Sequence, residues 1–76
     1  MSLNKKTMIR EIGRRTRLKN HEVQAVIETL IDVWTEELVR GGRIEIENFI
    51  ALYVDSTRLR VHTGLRLRQL LREATS

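Results

Sequence analysis

Residues 23–54 read VQAVIETLIDVWTEELVRGGRIEIENFIALYV, and they carry the strongest structural signal in this chain of 76 residues. In the first part, apolar residues recur every three or four positions, which is typical of one face of an amphipathic helix. The pair Gly41-Gly42 can provide the left-handed residue that ends a helix. Isoleucine and glutamate then alternate over residues 44–47, and this period of two predicts a half-buried strand. We therefore predict a long helix that leads directly into a β-hairpin.

Shorter elements flank this stretch. Asn4 is a favourable N-cap for a first helix over about residues 5–15, and Asn20 is a candidate cap for the long helix. The predicted strands are residues 43–47, 49–54 and 58–62, with turns at Asn48 and at residues 55–57. Thr63 is a candidate cap for a last helix over about residues 65–74. The predicted fold is α+β in the order α-α-β-β-β-α, with one domain over residues 3–76.

The strand period also assigns the two faces of the sheet. The apolar face, expected to lie against the helices, carries Ile44, Ile46, Leu52, Val54, Leu59 and Val61. The other face is polar and mixed in charge, and it carries Arg43, Glu45, Glu47, Ala51, Tyr53, Arg58, Arg60 and His62. A strand exposes alternate side chains to opposite sides, so a single register places each set together.

Size and composition predict a dimer. A chain this short buries only about 60% of its unfolded surface and is marginally stable alone. It contains no cysteine, so neither a disulfide nor a thiolate–metal site can stabilise it. The apolar face of the long helix is wider than one small sheet can cover, and it includes the only tryptophan, Trp34. We therefore expect an obligate dimer.

The charges are segregated along the chain. Residues 1–19 hold seven basic side chains and one acidic side chain, a net charge of +6. Residues 20–57 have two basic and eight acidic residues, a net charge of −6, and residues 58–76 have five basic and one acidic, a net charge of +4. Basic ends around an acidic middle favour a polyanionic partner that is contacted by the two ends.

Several classes of protein are disfavoured by the sequence. No apolar run approaches the roughly 20 residues of a membrane span, and the N-terminus lacks a signal-peptide pattern. His21 and His62 do not have a metal-ligand spacing, and no glycine-rich phosphate loop follows a strand. We expect no catalytic residues, no metal, no cofactor and no small-molecule substrate. Met1 and Ser2 are expected to be a leader or an expression remnant.

The first two helices also allow a helix-turn-helix interpretation. In that case Asn20, His21 and Gln24 at the start of the second helix would enter the major groove of DNA. The outer face of this helix carries four acidic residues, namely Glu28, Asp32, Glu36 and Glu37. Because phosphates repel such a face, the helix is poorly suited to reading a groove.

Nearly the whole chain resembles the bacterial histone-like HU and integration host factor family. The resemblance rests on the start Leu3-Asn4-Lys5, on IREIGRRTRL at residues 9–18, on residues 23–54, and on VHTGLRLRQLL at residues 61–71. Gly64 matches the glycine of the family. The resemblance implies an intertwined homodimer and non-catalytic binding of duplex DNA with little sequence preference. The sequence does not specify the partner subunit, so a heterodimer with a paralogue stays open. It also implies a cytoplasmic location in the bacterial nucleoid.

The chain departs from the family pattern where that family has a long basic β-ribbon arm with a proline near its tip. Only residues 55–60 separate Val54 from Val61, and the chain contains no proline. The hairpin motif of the family, G-F-G-x-F, appears as residues 48–52, in which Phe49 is kept and both glycines are replaced. We therefore expect a truncated arm, weak DNA binding and little bending.

The leading hypothesis is an armless histone-like dimer that binds the phosphate backbone of duplex DNA. Its candidate DNA-binding residues are Lys5, Lys6, Arg58, Arg60, His62, Gly64, Arg66, Arg68 and Arg72. Its candidate dimer-interface residues are Ile27, Leu30, Ile31, Trp34, Leu38 and Phe49. The alternative is a dimerisation or protein-interaction module of the same fold that has lost DNA binding, which the acidic middle segment and the missing arm favour.

Overall fold

The computed structural model describes residues 2–75 as three helices and three strands. In chain order they are α1 (Lys5–Thr16), α2 (Asn20–Val39), β1 (Arg43–Ile46), β2 (Ile50–Asp55), β3 (Arg58–Thr63) and α3 (Leu65–Thr75). The predicted order is confirmed, and each strand boundary lies within one residue of the prediction. The chain divides into two compact units, the first ending at Val33 and the second beginning at Trp34. One domain over residues 3–76 stays a prediction, and Met1 of the expected leader lies outside the described residues.

Helix α1 begins with the cap expected from the sequence. The Asn4 side-chain oxygen accepts a hydrogen bond from the Thr7 backbone N–H at 2.9 Å, and the Thr7 hydroxyl accepts one from the Asn4 N–H at 2.9 Å. This reciprocal capping box satisfies two donors at the helix start. The helix ends at Arg17, which has a left-handed φ of 63° and donates its N–H to the Gly13 carbonyl at 2.8 Å.

Helix α2 begins at Asn20, but the prediction that Asn20 caps it is wrong. The Lys19 carbonyl accepts the first helical bond, from Val23 N–H at 3.1 Å, and Lys19 N–H donates to the Glu22 carboxylate at 3.0 Å. The Asn20 side chain lies instead beside Gly13, where a Cβ would come within 3.0 Å of its oxygen. Gly13 is buried, so the lack of a side chain there provides the room that Asn20 occupies.

Helix α2 ends at the double glycine, as predicted. Gly41 has a φ of 83° and donates its N–H to the Leu38 carbonyl at 3.0 Å. Gly42 N–H then donates to the Glu37 carbonyl at 2.9 Å. The left-handed residue satisfies carbonyls that the helix would otherwise leave unpaired, and it turns the chain into β1.

The three strands form one antiparallel sheet in the order β1-β2-β3. Asn48 has a φ of 54° in the first turn, as predicted for an asparagine. Asp55 pairs with Arg58, so Ser56 and Thr57 alone form the second turn, with Ser56 at a φ of 61°. A two-residue hairpin turn leaves no room for an arm. The expected truncation is therefore confirmed.

Gly64 links the sheet to α3. Its N–H donates to the Phe49 carbonyl at 2.7 Å, and its carbonyl accepts the first bond of α3, from Arg68 N–H at 3.0 Å. A Cβ on Gly64 would lie 2.3 Å from the Asn48 carbonyl carbon. The predicted cap, Thr63, is still part of β3, where it pairs with Ile50, so that prediction is wrong. The residue that meets the backbone of the first turn so closely has to be glycine.

The buried core is small. Val23 and Ile27 are buried in the first unit, and Ile44 and Ala51 in the second. The register places the predicted apolar residues of the sheet on one face, together with Ile50. Within the single chain only Ile44 of this predicted face is buried, and Leu59 and Val61 are each 56% exposed. A broad apolar surface thus remains open on the single chain.

No helix within residues 2–75 combines the length and the apolar character needed to cross a bilayer.

Candidate nucleic-acid interface

The polar face of the sheet is organised in rows that run across the strands. One row joins Arg43, Tyr53 and Arg60, and the next joins Glu45, Ala51 and His62. The Arg43 guanidinium lies over the Tyr53 ring, 5.1 Å from its centroid, and its Nε donates to the Glu45 carboxylate at 2.7 Å. Arg43 is therefore neutralised on the sheet surface and held by the ring.

Strand β3 supplies the side chains of the polar sheet face that remain open to a ligand. Arg58 and His62 are exposed, and neither has an ion pair or side-chain hydrogen bond within the described part of the chain. Arg60 has only a long contact, 3.8 Å from its Nε to the Asp55 carboxylate. An exposed pair at that distance contributes little to stability and yields readily to a phosphate.

A shallow open depression lies on this polar face, with buried Ala51 in its lining. Glu45 and His62 flank Ala51 in register, and Gly64 also lines the depression. Glu47 is a further acidic neighbour. The mixture of acidic and basic groups explains why this surface as a whole is not strongly positive.

Helix α3 carries the remaining arginines of the predicted site. Arg66 is exposed and has no side-chain partner among residues 2–75, whereas Arg68 Nη2 donates to the Thr63 carbonyl at 3.2 Å. Arg72 is exposed in the last turn. The Gly64 N–H, expected to be offered to a phosphate, already donates to the Phe49 carbonyl, so that contribution is corrected. Backbone donors at this end would come from the first residues of α3 itself.

Lys5 and Lys6 lie in the first turn of α1. Lys5 Nζ donates to the Glu28 carboxylate at 2.5 Å, and Gln24 Nε2 donates to the same oxygen at 3.1 Å. The hydrogen bond from Lys5 is the main reason that the pKa of the Glu28 carboxyl is lowered, with Gln24 adding to it. Lys6 is exposed and has no such partner within residues 2–75. Of the two lysines, only Lys5 is held by a carboxylate, and the Lys6 ammonium is open to an external anion.

The site prediction did not include the rest of the basic groups on and after α1, namely Arg10, Arg14, Arg15, Arg17 and Lys19. Glu11 accepts hydrogen bonds from Arg14 and Arg15, with 2.7 Å from its carboxylate to Arg15 Nε. These bonds, that of Arg14 first, hold the pKa of the Glu11 carboxyl at about 2. The four-residue spacing of Lys6, Arg10 and Arg14 was the signal in the sequence that could have revealed this surface.

The predicted interface residues fall into three groups. Leu30, Ile31 and Phe49 are 43%, 52% and 48% exposed, and are therefore open to a partner. Trp34 and Leu38 are half-buried. Ile27 is only 8% exposed within the single chain, and its place in an interface stays a prediction. It lies one helical turn from Val23 and contributes to the core of its own unit.

Among residues 2–75, no group of three or more His, Cys, Asp or Glu side chains is placed to hold a metal ion.

The chain is similar to known proteins in sequence and in fold. Residues 3–65 match the family model described as bacterial DNA-binding protein. No curated protein matches the chain. Among solved structures, HU from Thermotoga maritima shares 23% identity with a TM-score of 0.83, covering 91% of this chain and 98% of that one. An isoleucine-for-valine variant of the same HU shares 24% identity with a TM-score of 0.87, covering 91% of this chain and 99% of that one. At this identity the two structures establish a shared fold.

Proposed function

Since the chain belongs to the family of bacterial DNA-binding proteins that includes HU and integration host factor, we propose that it binds duplex DNA as a dimer through phosphate contacts. Such contacts give affinity and orientation but carry no sequence information. The proposed contacts are eight side chains, together with the first backbone N–H groups of α3, and the side chains are those of Lys5, Lys6, Arg58, Arg60, His62, Arg66, Arg68 and Arg72. Members of this family are structural DNA-binding proteins of the nucleoid, so we also propose a cytoplasmic location and no catalytic activity.

The observation that carries the proposal is the unpaired positive charge on β3 and α3. From Arg58 to Arg72 the chain contains five arginines and no acidic residue. The side chains of Arg58 and Arg66 have no hydrogen bond or ion pair among residues 2–75, and the Arg60 side chain has only a 3.8 Å contact. Phosphate oxygens would satisfy these guanidinium groups with charge-assisted hydrogen bonds, and condensed counterions would be released from the DNA.

Dimer formation is supported by the apolar surface that the single chain leaves open. Val26, Leu30, Ile31 and Val33 of α2 are 43–62% exposed, and most of the apolar face of the sheet is open as well. Soluble monomers rarely expose contiguous apolar patches of this kind. Burial against a second copy would remove them from water and compensate for the small core, which within residues 2–75 has four buried apolar residues.

Weak bending is supported by the connection between β2 and β3. Family members in the same minor-groove class insert apolar wedges that unstack base steps and kink the duplex. Here the hairpin ends in the two polar residues Ser56 and Thr57. With no extension beyond them, the protein would hold the duplex through its backbone and deform it little.

The test is a titration of fluorescent duplex DNA by anisotropy at several salt concentrations. The log of affinity is expected to fall with log salt by about 0.9 for every phosphate neutralised. Arg58→Gln/Arg66→Gln should lower this slope by about 0.9 for every phosphate that the variant no longer neutralises. Arg15→Gln/Arg40→Gln is the matched control, because it removes the same charge from arginines that are paired with Glu11 and Glu37. Equal slopes in the two variants would contradict the proposed contacts.

The second candidate function is an interaction module of the same fold without DNA binding. Glu45 on the polar sheet face and Glu47 in the adjoining turn favour it, because they lie in the lining of the same depression as His62. The two functions differ at low salt. If a dimer shown to be folded by circular dichroism does not bind any duplex there, the DNA-binding proposal fails and the interaction module stands.

A further inference from the structure

We infer that the outer face of α1 is an additional surface for the DNA phosphate backbone, formed by Lys6, Arg10, Arg14 and the helix-ending Arg17. We call these four residues the α1 stripe. The inference rests on the proposed function, since it assigns more of the chain to the same ligand. It extends that function to Arg10, Arg14 and Arg17, which lie in the first compact unit.

Helix geometry places the first three members of the α1 stripe in a line. Lys6, Arg10 and Arg14 are four residues apart, so they project from one face of α1, with a rise of about 6 Å between neighbours. All are exposed, and Arg17 is exposed directly after the helix. Lys6, Arg10 and Arg17 have no ion pair among residues 2–75. Arg14 is paired with Glu11, so the open cations of the stripe are Lys6, Arg10 and Arg17, and these are complementary to a row of phosphates.

The stability of the helix does not account for these charges. The positive end of a helix dipole lies at its N-terminus, where anionic side chains are favourable and cationic ones are not. The first turn of α1 has no acidic residue and holds Lys5 and Lys6. Arg14 and Arg15 in the last turn suit the dipole, and both bond to Glu11. Lys6 and Arg10 gain neither benefit, so their charge is available for an external anion.

Arg17 supplies an independent observation. It occupies a left-handed conformation with a φ of 63°, which glycine or asparagine adopts at lower cost at the end of a helix. Its side chain makes no hydrogen bond or ion pair within the described residues that would offset this cost. The contacts of the Arg17 side chain therefore give it no stabilising role, and its charge is open to an external anion.

The experiment compares Arg10→Gln/Arg17→Gln with Arg15→Gln/Arg40→Gln, which removes the same number of charges away from the α1 stripe. Duplex affinity is measured by anisotropy between about 50 and 200 mM salt. Over that range each phosphate contact is expected to contribute about a 3.5-fold reduction of affinity, since the logarithm of the reduction is about 0.9 times the logarithm of four. The salt-induced reduction should therefore be about 3.5-fold smaller in the stripe variant for each phosphate that it no longer neutralises, and the control should match the wild type.

A further variant, Arg17→Gly, separates binding from folding. Glycine relieves the left-handed backbone, so the Tm should rise by about 2–5 °C while the affinity for duplex DNA falls. A residue with only a structural role would not change these two quantities in opposite directions. If Arg17→Gly leaves the affinity for duplex DNA unchanged in a protein that is still folded, Arg17 is not a DNA contact.

The remaining outcomes are also decisive. If the wild-type protein binds duplex DNA and the stripe variant has the same salt slope, the α1 stripe is excluded while the proposed function stands. If the wild-type protein binds no duplex at all, the proposed function itself fails. Vesicles of phosphatidylglycerol serve as the competing probe. If the stripe variant loses vesicle binding and keeps its DNA affinity, the face is a lipid surface and the inference is overturned.

Discussion

Replacing Gly64 by alanine should destabilise the protein more than any other single-methyl change in its turns. The new Cβ would lie 2.3 Å from the Asn48 carbonyl carbon, 2.5 Å from its oxygen and 2.6 Å from the Phe49 nitrogen. All three are backbone atoms, so no flexible side chain can move aside. The turn between β1 and β2 has to separate from the start of α3, and the 2.7 Å hydrogen bond from Gly64 to Phe49 is then broken.

The magnitude follows from two costs. Forcing an extra carbon into a packed site costs about 1–3 kcal/mol. Leaving a hydrogen-bonded backbone pair unsatisfied costs about 1–3 kcal/mol more. The free energy of unfolding should therefore fall by about 2–6 kcal/mol, which is a large share of the roughly 5–15 kcal/mol typical of a domain. At this chain length each kcal/mol corresponds to roughly 4–8 °C in Tm, so the Tm should fall by at least about 8 °C.

Urea and thermal unfolding followed by circular dichroism measure this difference, with every variant at one protein concentration because a dimer unfolds in a concentration-dependent way. Gly41→Ala is the matched control. Gly41 has a φ of 83°, but no atom lies within 4 Å of the position that its Cβ would take, so alanine there meets only the backbone penalty of about 1–2 kcal/mol. Neutral substitutions change the free energy of unfolding by no more than about 0.5 kcal/mol. If the free energy of unfolding of Gly64→Ala differs from that of the wild type by no more than this, the close approach of the two backbones is refuted.

Three further predictions concern other parts of the chain. Glu28→Gln should free Lys5 from its carboxylate partner and raise the affinity for duplex DNA at low salt by about two- to fivefold. If an anisotropy titration shows no gain in affinity, Lys5 does not contact DNA. Leu30 is 43% exposed on the apolar face of α2, so the charge introduced by Leu30→Asp should abolish the dimer in sedimentation analysis. The control Thr29→Asp, one position away on the same helix, should leave the dimer intact. A dimer in both variants would contradict the proposed interface. The pKa of the Glu11 carboxyl is lowered to about 2 by its bonds with Arg14 and Arg15. The stabilisation of the folded protein by these bonds should therefore be fully present above the ordinary pKa of about 4.5 and should disappear as the pH falls through about 2. A carboxyl NMR titration of Glu11 with its midpoint above about pH 4 would disprove those bonds.

In the candidate site, side-chain periodicity predicts the sheet face on which a residue lies but not the partner of its side chain. The residues of the polar sheet face were predicted from alternation alone, and the strand register places the strand members of that set together. Alternation could not reveal that Arg43 is paired with Glu45 and held against Tyr53 while Arg58 is left open. Pairing depends on which rotamers meet across neighbouring strands, and spacing along the chain does not specify them.

The sequence by itself determined the order of elements, the Asn4 cap, the glycine-ended helix and the missing arm, because each depends on contacts between residues that are close along the chain. Only the tertiary structure decided which residues are buried. Ile27 lies on the same apolar helix face as Leu30 and Ile31 and is buried within the single chain, whereas Leu59 and Val61, on the apolar face of the sheet, are each 56% exposed. No local pattern predicts the packing of Gly13 and Gly64. A Cβ on Gly13 would meet the Asn20 side chain, and one on Gly64 would meet the backbone at Asn48, and folding brings both of these close. Burial and close approach depend on packing between elements, and an amphipathic pattern shows that a face is apolar without showing what covers it.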